Sequence, residues 1–176
     1  MKKFLKTLKY CMYSLGLVLL IGFLIPEEII NPVQGATESD WNHETFWYEP
    51  WGTSGVHKGI DIFGKKGTPV AASTSGVVIF SGILGKGGNA VAILGPKWRV
   101  HYFAHLNSYS VELGDFVNIN KEIGTLGDTG NAGGKQPHVH YSILSIIPVP
   151  WLATMENQGW KKMFLLSPHE KLINIK

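Results

Sequence analysis

Between residues 67 and 144 the apolar runs are short and most are separated by glycine-bearing breaks. The runs fall at 68–73, 76–80, 89–94, 98–104, 116–119 and 138–144. Between them lie Ser81-Gly82, Gly85-Lys86-Gly87-Gly88, Gly95-Pro96-Lys97, Leu113-Gly114-Asp115 and Gly127-Asp128-Thr129-Gly130-Asn131. Short apolar segments this closely spaced, with turn residues between them, predict strands. The expected fold is mainly β, a compact single domain of short and mostly antiparallel strands. A chain of 176 residues is long enough for one domain with a real core plus appendages. The 85–88 run is not a phosphate loop, because it lacks the Gly-Lys-Ser/Thr ending and no helical pattern follows.

The two ends of the chain read differently. Lys2, Lys3, Lys6 and Lys9 precede an uncharged apolar stretch at 10–25. Its length lies between the about 7–15 residues of a signal core and the about 20 of a full span. Small residues suited to cleavage appear only at Gly35 and Ala36, late for a core ending at Ile25, so residues 1–25 read as a membrane anchor rather than a cleaved signal sequence. Lysines before the run and Glu27 and Glu28 after it predict the N-terminus inside and the remainder outside. The domain is exported in either case. It would be anchored in the cytoplasmic membrane if uncleaved and secreted otherwise. With the four N-terminal lysines set aside from its 16 Lys and Arg, 12 basic residues face 13 acidic ones, which removes any general nucleic-acid footprint. Cys11, the only cysteine, starts the apolar run, so the exported part has no internal disulfide.

Residues 26–40, with two prolines, a glycine and an acidic balance, read as a linker. The domain proper is expected at 41–150. It opens with Trp41, Phe46, Trp47, Tyr48 and Trp51, aromatic surface that should pack on the core or line a groove. Residues 151–176 are expected as a C-terminal strap, in which Leu152, Met155, Gly159 and Met163 allow a short helix. His43 and His169 read as surface residues.

The chemistry lies in two clusters. In Gln136-Pro137-His138-Val139-His140-Tyr141, a strand from His138 would point both imidazoles the same way, flanking an outward-facing Val139. Upstream, the four-residue spacing of His57 and Asp61 puts both on one face, whether of a strand or of a helix. Two imidazoles and a carboxylate are a ligand set that catalytic zinc uses, with its fourth position left to water. The candidate set is His57, Asp61 and one histidine of the pair. Between the clusters lies Arg99-Val100-His101-Tyr102-Phe103-Ala104-His105-Leu106, where alternation puts His101 and His105 on one face. A site that activates water needs a neighbouring group to take and return a proton. His105 and the non-ligating member of His138 and His140 are the natural candidates. His101 reads as a groove residue or a satisfied strand histidine, and Asp115, Asp128 and Asn131 suit turns.

His57-x-x-x-Asp61 in a Gly-Ile-Asp-Ile context, the aromatic-Ala104-His105-Leu106 element, Gly124-x-x-Gly127-x-Thr129-Gly130-Asn131 and Pro137-His138-Val139-His140-Tyr141 occur in one order. Each is common by itself, but the ordered set resembles the lysostaphin-type (LytM-like) zinc endopeptidases that cut peptidoglycan, over about residues 51–144. The resemblance implies a small β-fold with a groove over one zinc ion. It implies His57, Asp61 and His140 as zinc ligands and His105 and His138 as catalytic non-ligands. It further implies hydrolysis of stem-peptide or cross-bridge bonds in peptidoglycan by a metal-activated water. Phe103 stands where a tyrosine is common in relatives. The alternative is a non-catalytic wall-binding or regulatory module that keeps the fold, with its groove blocked by the 41–51 aromatics or by the strap.

Overall fold

The computed structural model describes residues 2–173. A helix, α1 (Lys2–Leu24), leads into strands β1 (Ile60–Phe63), β2 (Pro69–Ala71), β3 (Gly76–Ile83), β4 (Asn89–Gly95), β5 (Arg99–Leu106), β6 (Ser108–Tyr109), β7 (Phe116–Val117), β8 (Glu122–Thr125), β9 (His138–Ser145) and β10 (Leu165–Leu166), and a short helix α2 (Pro168–Ile173) follows. The larger sheet has the order β1-β9-β5-β4-β3-β7, with β10 also on β9, and β2-β8-β6 form a smaller one. All pairings are antiparallel.

Strand alternation decides what each face holds. On β1, Ile60 and Ile62 are fully buried; on β9, Val139, Tyr141 and Ile143 are. They join Val70 and Ile123 of the smaller sheet in one core. Val139, expected to point outward, is turned inward, because His138 and His140 take the opposite face. Burying aliphatic side chains of this kind stabilises the fold by about 1.5–3 kcal/mol each.

The appendages are tied in more tightly than their composition suggests. Residues 26–40, expected as a linker, run along β2: the Ala71 amide donates to the Pro32 carbonyl at 2.7 Å and the Gln34 amide to the Pro69 carbonyl at 3.1 Å. Val33 is 3% exposed and belongs to the core, as does Ile29. Glu27, whose side chain is 3% exposed, pairs with Arg99. The C-terminal stretch holds 3-10 turns at Pro150–Leu152 and Gly159–Phe164, then β10 and α2, in place of one short α-helix. His169 is not a free surface residue: the Trp41 indole N–H donates to its Nδ1 at 3.2 Å, and its ring lies 5.0 Å from that of His43. Both aromatic roles expected at 41–51 are filled, by different residues. Trp41 and Trp47 are buried, while Trp51 lines a groove.

Candidate metal centre

Strands β1 and β9 lie side by side with Asp61 opposite His140. With the isoleucines of β1 in the core, Asp61 is left on the same side as His138 and His140. Gly59 permits this closeness. A Cβ there would meet the Tyr141 carbonyl oxygen at 2.4 Å and His140 Cε1 at 2.9 Å. Any larger residue would push the approach to β1 away from β9. His57, two residues earlier, then turns its ring onto Asp61.

Three donor atoms converge. His57 Nε2 lies 3.1 Å from Asp61 Oδ1 and 3.0 Å from His140 Nδ1, and the last two are 2.9 Å apart. Bonds of about 2.0–2.2 Å in a tetrahedral zinc site place neighbouring ligand atoms about 3.3 Å apart, so this near-equilateral triangle fits one face of such a site. The donors' other atoms point to the same conclusion. A carbonyl only accepts, so His57 Nδ1–H donates to Thr45 O at 3.0 Å and Nε2 carries a bare lone pair. That lone pair faces a carboxylate oxygen, an arrangement that a cation between them satisfies. When His140 Nδ1 ligates, Nε2–H donates to Ser142 Oγ at 2.9 Å. Burial raises the Asp61 carboxyl, but the His140 and His57 rings beside it outweigh this and hold the pKa well below the usual range. A carboxylate is therefore in place to ligate.

His105 reaches the groove by a break in strand alternation. His101 and Phe103 point into the core; Tyr102 and Ala104 face the groove. Strict alternation would send His105 inward. Between the pairs Asn89↔Leu106 and Val91↔Phe103, however, β5 spends three steps against two on β4, and His105 adopts φ 63°. This bulge turns its ring into the groove and returns Leu106 to the core. The expectation that His101 and His105 share a face is thus corrected. His101 is fully buried, 2.8 Å from the Tyr141 hydroxyl, and burial and the Arg99 charge push it down to about 3. His105 Nδ1–H donates to the Thr129 carbonyl at 2.9 Å, and burial pushes the imidazole down to about 4. His138 Nδ1–H donates to the Gln136 carbonyl at 2.8 Å. Both rings so present Nε2 lone pairs, with centroids 5.0 Å apart. His138 Nε2 lies 3.9 Å from Asp61 Oδ2.

The groove of about 710 Å³ is lined by all five expected residues. The Trp51 indole, one of the aromatics expected on the core or in a groove, stacks on the His57 ring at 4.0 Å and 21°. Tyr102, which sequence reasoning did not single out, meets His140 edge to face at 6.4 Å. Ser142, two residues beyond His140 on one strand face, was readable from spacing; Thr45 and Thr129, acting through carbonyls, carry no residue-type signal. Asn131 sits in the turn Gly130–Ala132 at the rim. Asp115 and Asp128 take turn and surface roles: Asp115 accepts from the Glu112 amide, and Asp128 pairs with Lys66. The strap braces the His57 side. The Trp47 indole N–H donates to the Asn157 carbonyl at 3.2 Å and Gln158 Nε2 to the Ser54 carbonyl at 3.0 Å.

A profile described as Peptidase family M23 matches residues 55–147, just over half of the chain, including His57, Asp61, His105, His138 and His140. The chain belongs to peptidase family M23. An L-Ala--D-Glu endopeptidase of Bacillus subtilis (strain 168) is 31% identical over 141 residues, which cover 70% of this chain and 43% of that protein. The catalytic domain of lysostaphin from Staphylococcus simulans superposes with a TM-score of 0.51 at 34% identity, over 54% of this chain and 72% of that one. A candidate glycyl-glycine endopeptidase lytM from Ruminococcus gnavus superposes with a TM-score of 0.62 at 25% identity, over 90% and 66%. This M23 chain spans under half the length of the curated relatives it matches.

Proposed function

We propose that this M23 protein is a zinc-dependent endopeptidase that hydrolyses peptide bonds in peptidoglycan stem peptides or cross-bridges, anchored by α1 with its domain outside the cytoplasmic membrane. The observation that carries the reading is the triangle of His57 Nε2, Asp61 Oδ1 and His140 Nδ1 with the His105 and His138 rings beside it. Zinc held there supplies a Lewis acid that polarises a carbonyl oxygen and acidifies a water. The remaining work falls to the chain's own groups. His57 keeps its lone pair on the metal side because its Nδ1–H is held by the Thr45 carbonyl, and Ser142 Oγ can accept from His140 Nε2–H when Nδ1 ligates. His105 and His138 accept the proton of the attacking water and return one to the departing amine, so no net proton is consumed. Neither can do so with the wrong tautomer, and the carbonyls of Thr129 and Gln136 exclude it.

The anchor has its own support. α1 is one helix long and apolar enough to cross a membrane. Cleavage at Gly35 or Ala36 would remove Glu27, Ile29 and Val33, all of them packed into the domain. The organisation that follows is an anchor to residue 25, a peptidase domain that incorporates 26–40, and the strap at 151–176.

The test is zinc content of the full-length protein in detergent together with digestion of purified peptidoglycan, with and without a chelator. One zinc per chain and chelator-sensitive release of peptides are expected. Zinc without cleavage would overturn the enzymatic reading in favour of a binding module.

A further inference from the structure

The groove is not evenly charged along its length. One end is set by the register of β5 and β9, where Ala104 lies opposite His140 and Tyr102 opposite Ser142. Two residues of strand carry the groove about 7 Å from His140 to this end. There the β3–β4 turn closes over the sheet: a Cβ on Gly87 would meet the Tyr102 hydroxyl at 2.3 Å and the Ala104 Cβ at 3.4 Å. On the other wall a Cβ on Gly59 would meet Ser142 Oγ at 2.6 Å, so Lys58 enters beside the same strand pair.

Both walls bring an ammonium group here. Lys86 Nζ, from the turn, crosses the groove to donate to Thr53 Oγ1. The half-buried Lys58 donates from Nζ to the Ser54 carbonyl at 3.1 Å and, less closely, to the Val56 carbonyl at 3.5 Å. The two cations thus converge on residues 53–56, and their partners are neutral acceptors that leave the charge in place. Other lysines of the domain do find carboxylates: Lys66 pairs with Asp128 and Lys162 with Glu156. Glu49, just before the groove wall, accepts from Asn157 Nδ2 at 2.7 Å. Among the described residues that line the groove the sole carboxylate is Asp61, which belongs to the metal triangle. Burial and the like charge of Lys161 lower the pKa of Lys58, so the neighbouring strap adds positive charge at this end. The Tyr102 hydroxyl, between the walls, has no hydrogen-bond partner among the described residues.

We propose that this end of the groove, formed by Lys58, Lys86 and Tyr102, is a carboxylate-binding subsite that selects peptides with a free carboxylate about two residues from the scissile bond. An occupant replaces neutral partners of both ammonium groups by a charged one, and hydrogen bonds to an ionised acceptor are roughly twice as strong as neutral ones. Stem peptides of peptidoglycan offer such groups at glutamate and at the C-terminus, whereas an oligoglycine cross-bridge offers none along its length. The subsite therefore directs the enzyme to stem peptides. This inference rests on the endopeptidase reading above and narrows its substrate to the anionic class.

The test reads binding and cleavage separately on the zinc-loaded full-length protein in detergent. The probes are the stem pentapeptide L-Ala-γ-D-Glu-L-Lys-D-Ala-D-Ala, labelled with a fluorophore at its N-terminus, with the glutamate and C-terminal carboxyls both free or both amidated. Anisotropy recorded before turnover should show the free form bound about tenfold more tightly. Lys58→Gln combined with Lys86→Gln should bring that ratio to about one while zinc content stays at the parent value, and Lys86→Gln alone, which leaves the residue beside His57 untouched, should lower it about threefold. Lys135→Gln, in the groove lining beside His138, should leave most of the ratio in place. Equal affinities in the parent, a ratio that survives the double variant, or an equally large loss with Lys135→Gln would overturn the subsite, whether or not the peptides are cleaved. A preference erased by the double variant, with no cleavage of either peptide or of peptidoglycan, would keep the subsite and overturn the endopeptidase reading.

Discussion

The core side and the groove side of β5 carry histidines four residues apart that share almost nothing in their surroundings. His101 is sealed in, with Tyr141, Glu27 and Arg99 around it, and is held neutral by burial. His105 stands on a bulge, tied by one nitrogen to the Thr129 carbonyl and open by the other to the metal centre. Residue type was the same in both, and backbone pairing made one structural and placed the other beside His57, Asp61 and His140. Substitutions on the groove side are therefore expected to cost activity with little stability, and those on the core side stability with little intrinsic activity.

The largest effect should come from the triangle. His57→Ala or His140→Ala removes a donor from a three-residue set, and metal analysis should show zinc and turnover lost together while the thermal transition of the metal-free protein moves little. Next in size, His105→Ala and His138→Ala should keep about one zinc per chain yet lower kcat by about 10²–10⁴, because the proton carrier is lost and the ligands are not. A drop in zinc content in step with activity would assign these histidines to the metal.

On the core side, His101→Ala should destabilise the fold by about 2–4 kcal/mol, through a cavity and a Tyr141 hydroxyl left without its partner. Turnover per zinc-loaded molecule should stay as in the parent, and a comparable loss of turnover would erase the distinction between the two sides. The last effect is confined to acid and is absent near neutral pH. With a folded pKa of about 3 against 6.5 unfolded, His101 is neutral in both states above 6.5. Below that, the unfolded chain takes up a proton that the folded one refuses. Stability should thus fall from pH 6.5 towards 3 at up to about 1.4 kcal/mol per unit, and His101→Phe should flatten denaturation midpoints across that window.

Much of the site was readable because its signals are local. The His138-x-His140 spacing needs only strand alternation, and a strand was indicated by the apolar residues and turns around it. His57-x-x-x-Asp61 converges in either regular conformation, so no choice had to be made. Val139 was oriented wrongly because an alternating pattern says which residues share a face, not which face is covered; the smaller sheet packed on that side decides it. The 26–40 stretch misled for a related reason. Prolines and acidic residues describe a segment that cannot pair with itself, but Ile29, Val33 and Glu27 find partners contributed by β2 and β5.

By itself, then, the order of residues determined a mainly β domain behind an apolar helix, the types and spacing of three candidate metal donors, and two further histidines near them. These follow from periodicity and donor chemistry, which act over a few residues. Only the tertiary structure decided that β5 bulges at His105, that Trp51 covers His57, and which nitrogen of each ring faces the groove. Each of those depends on an atom far away in sequence: a β4 partner, a carbonyl at Thr45 or Thr129. Such atoms are brought within reach only when the sheet has formed.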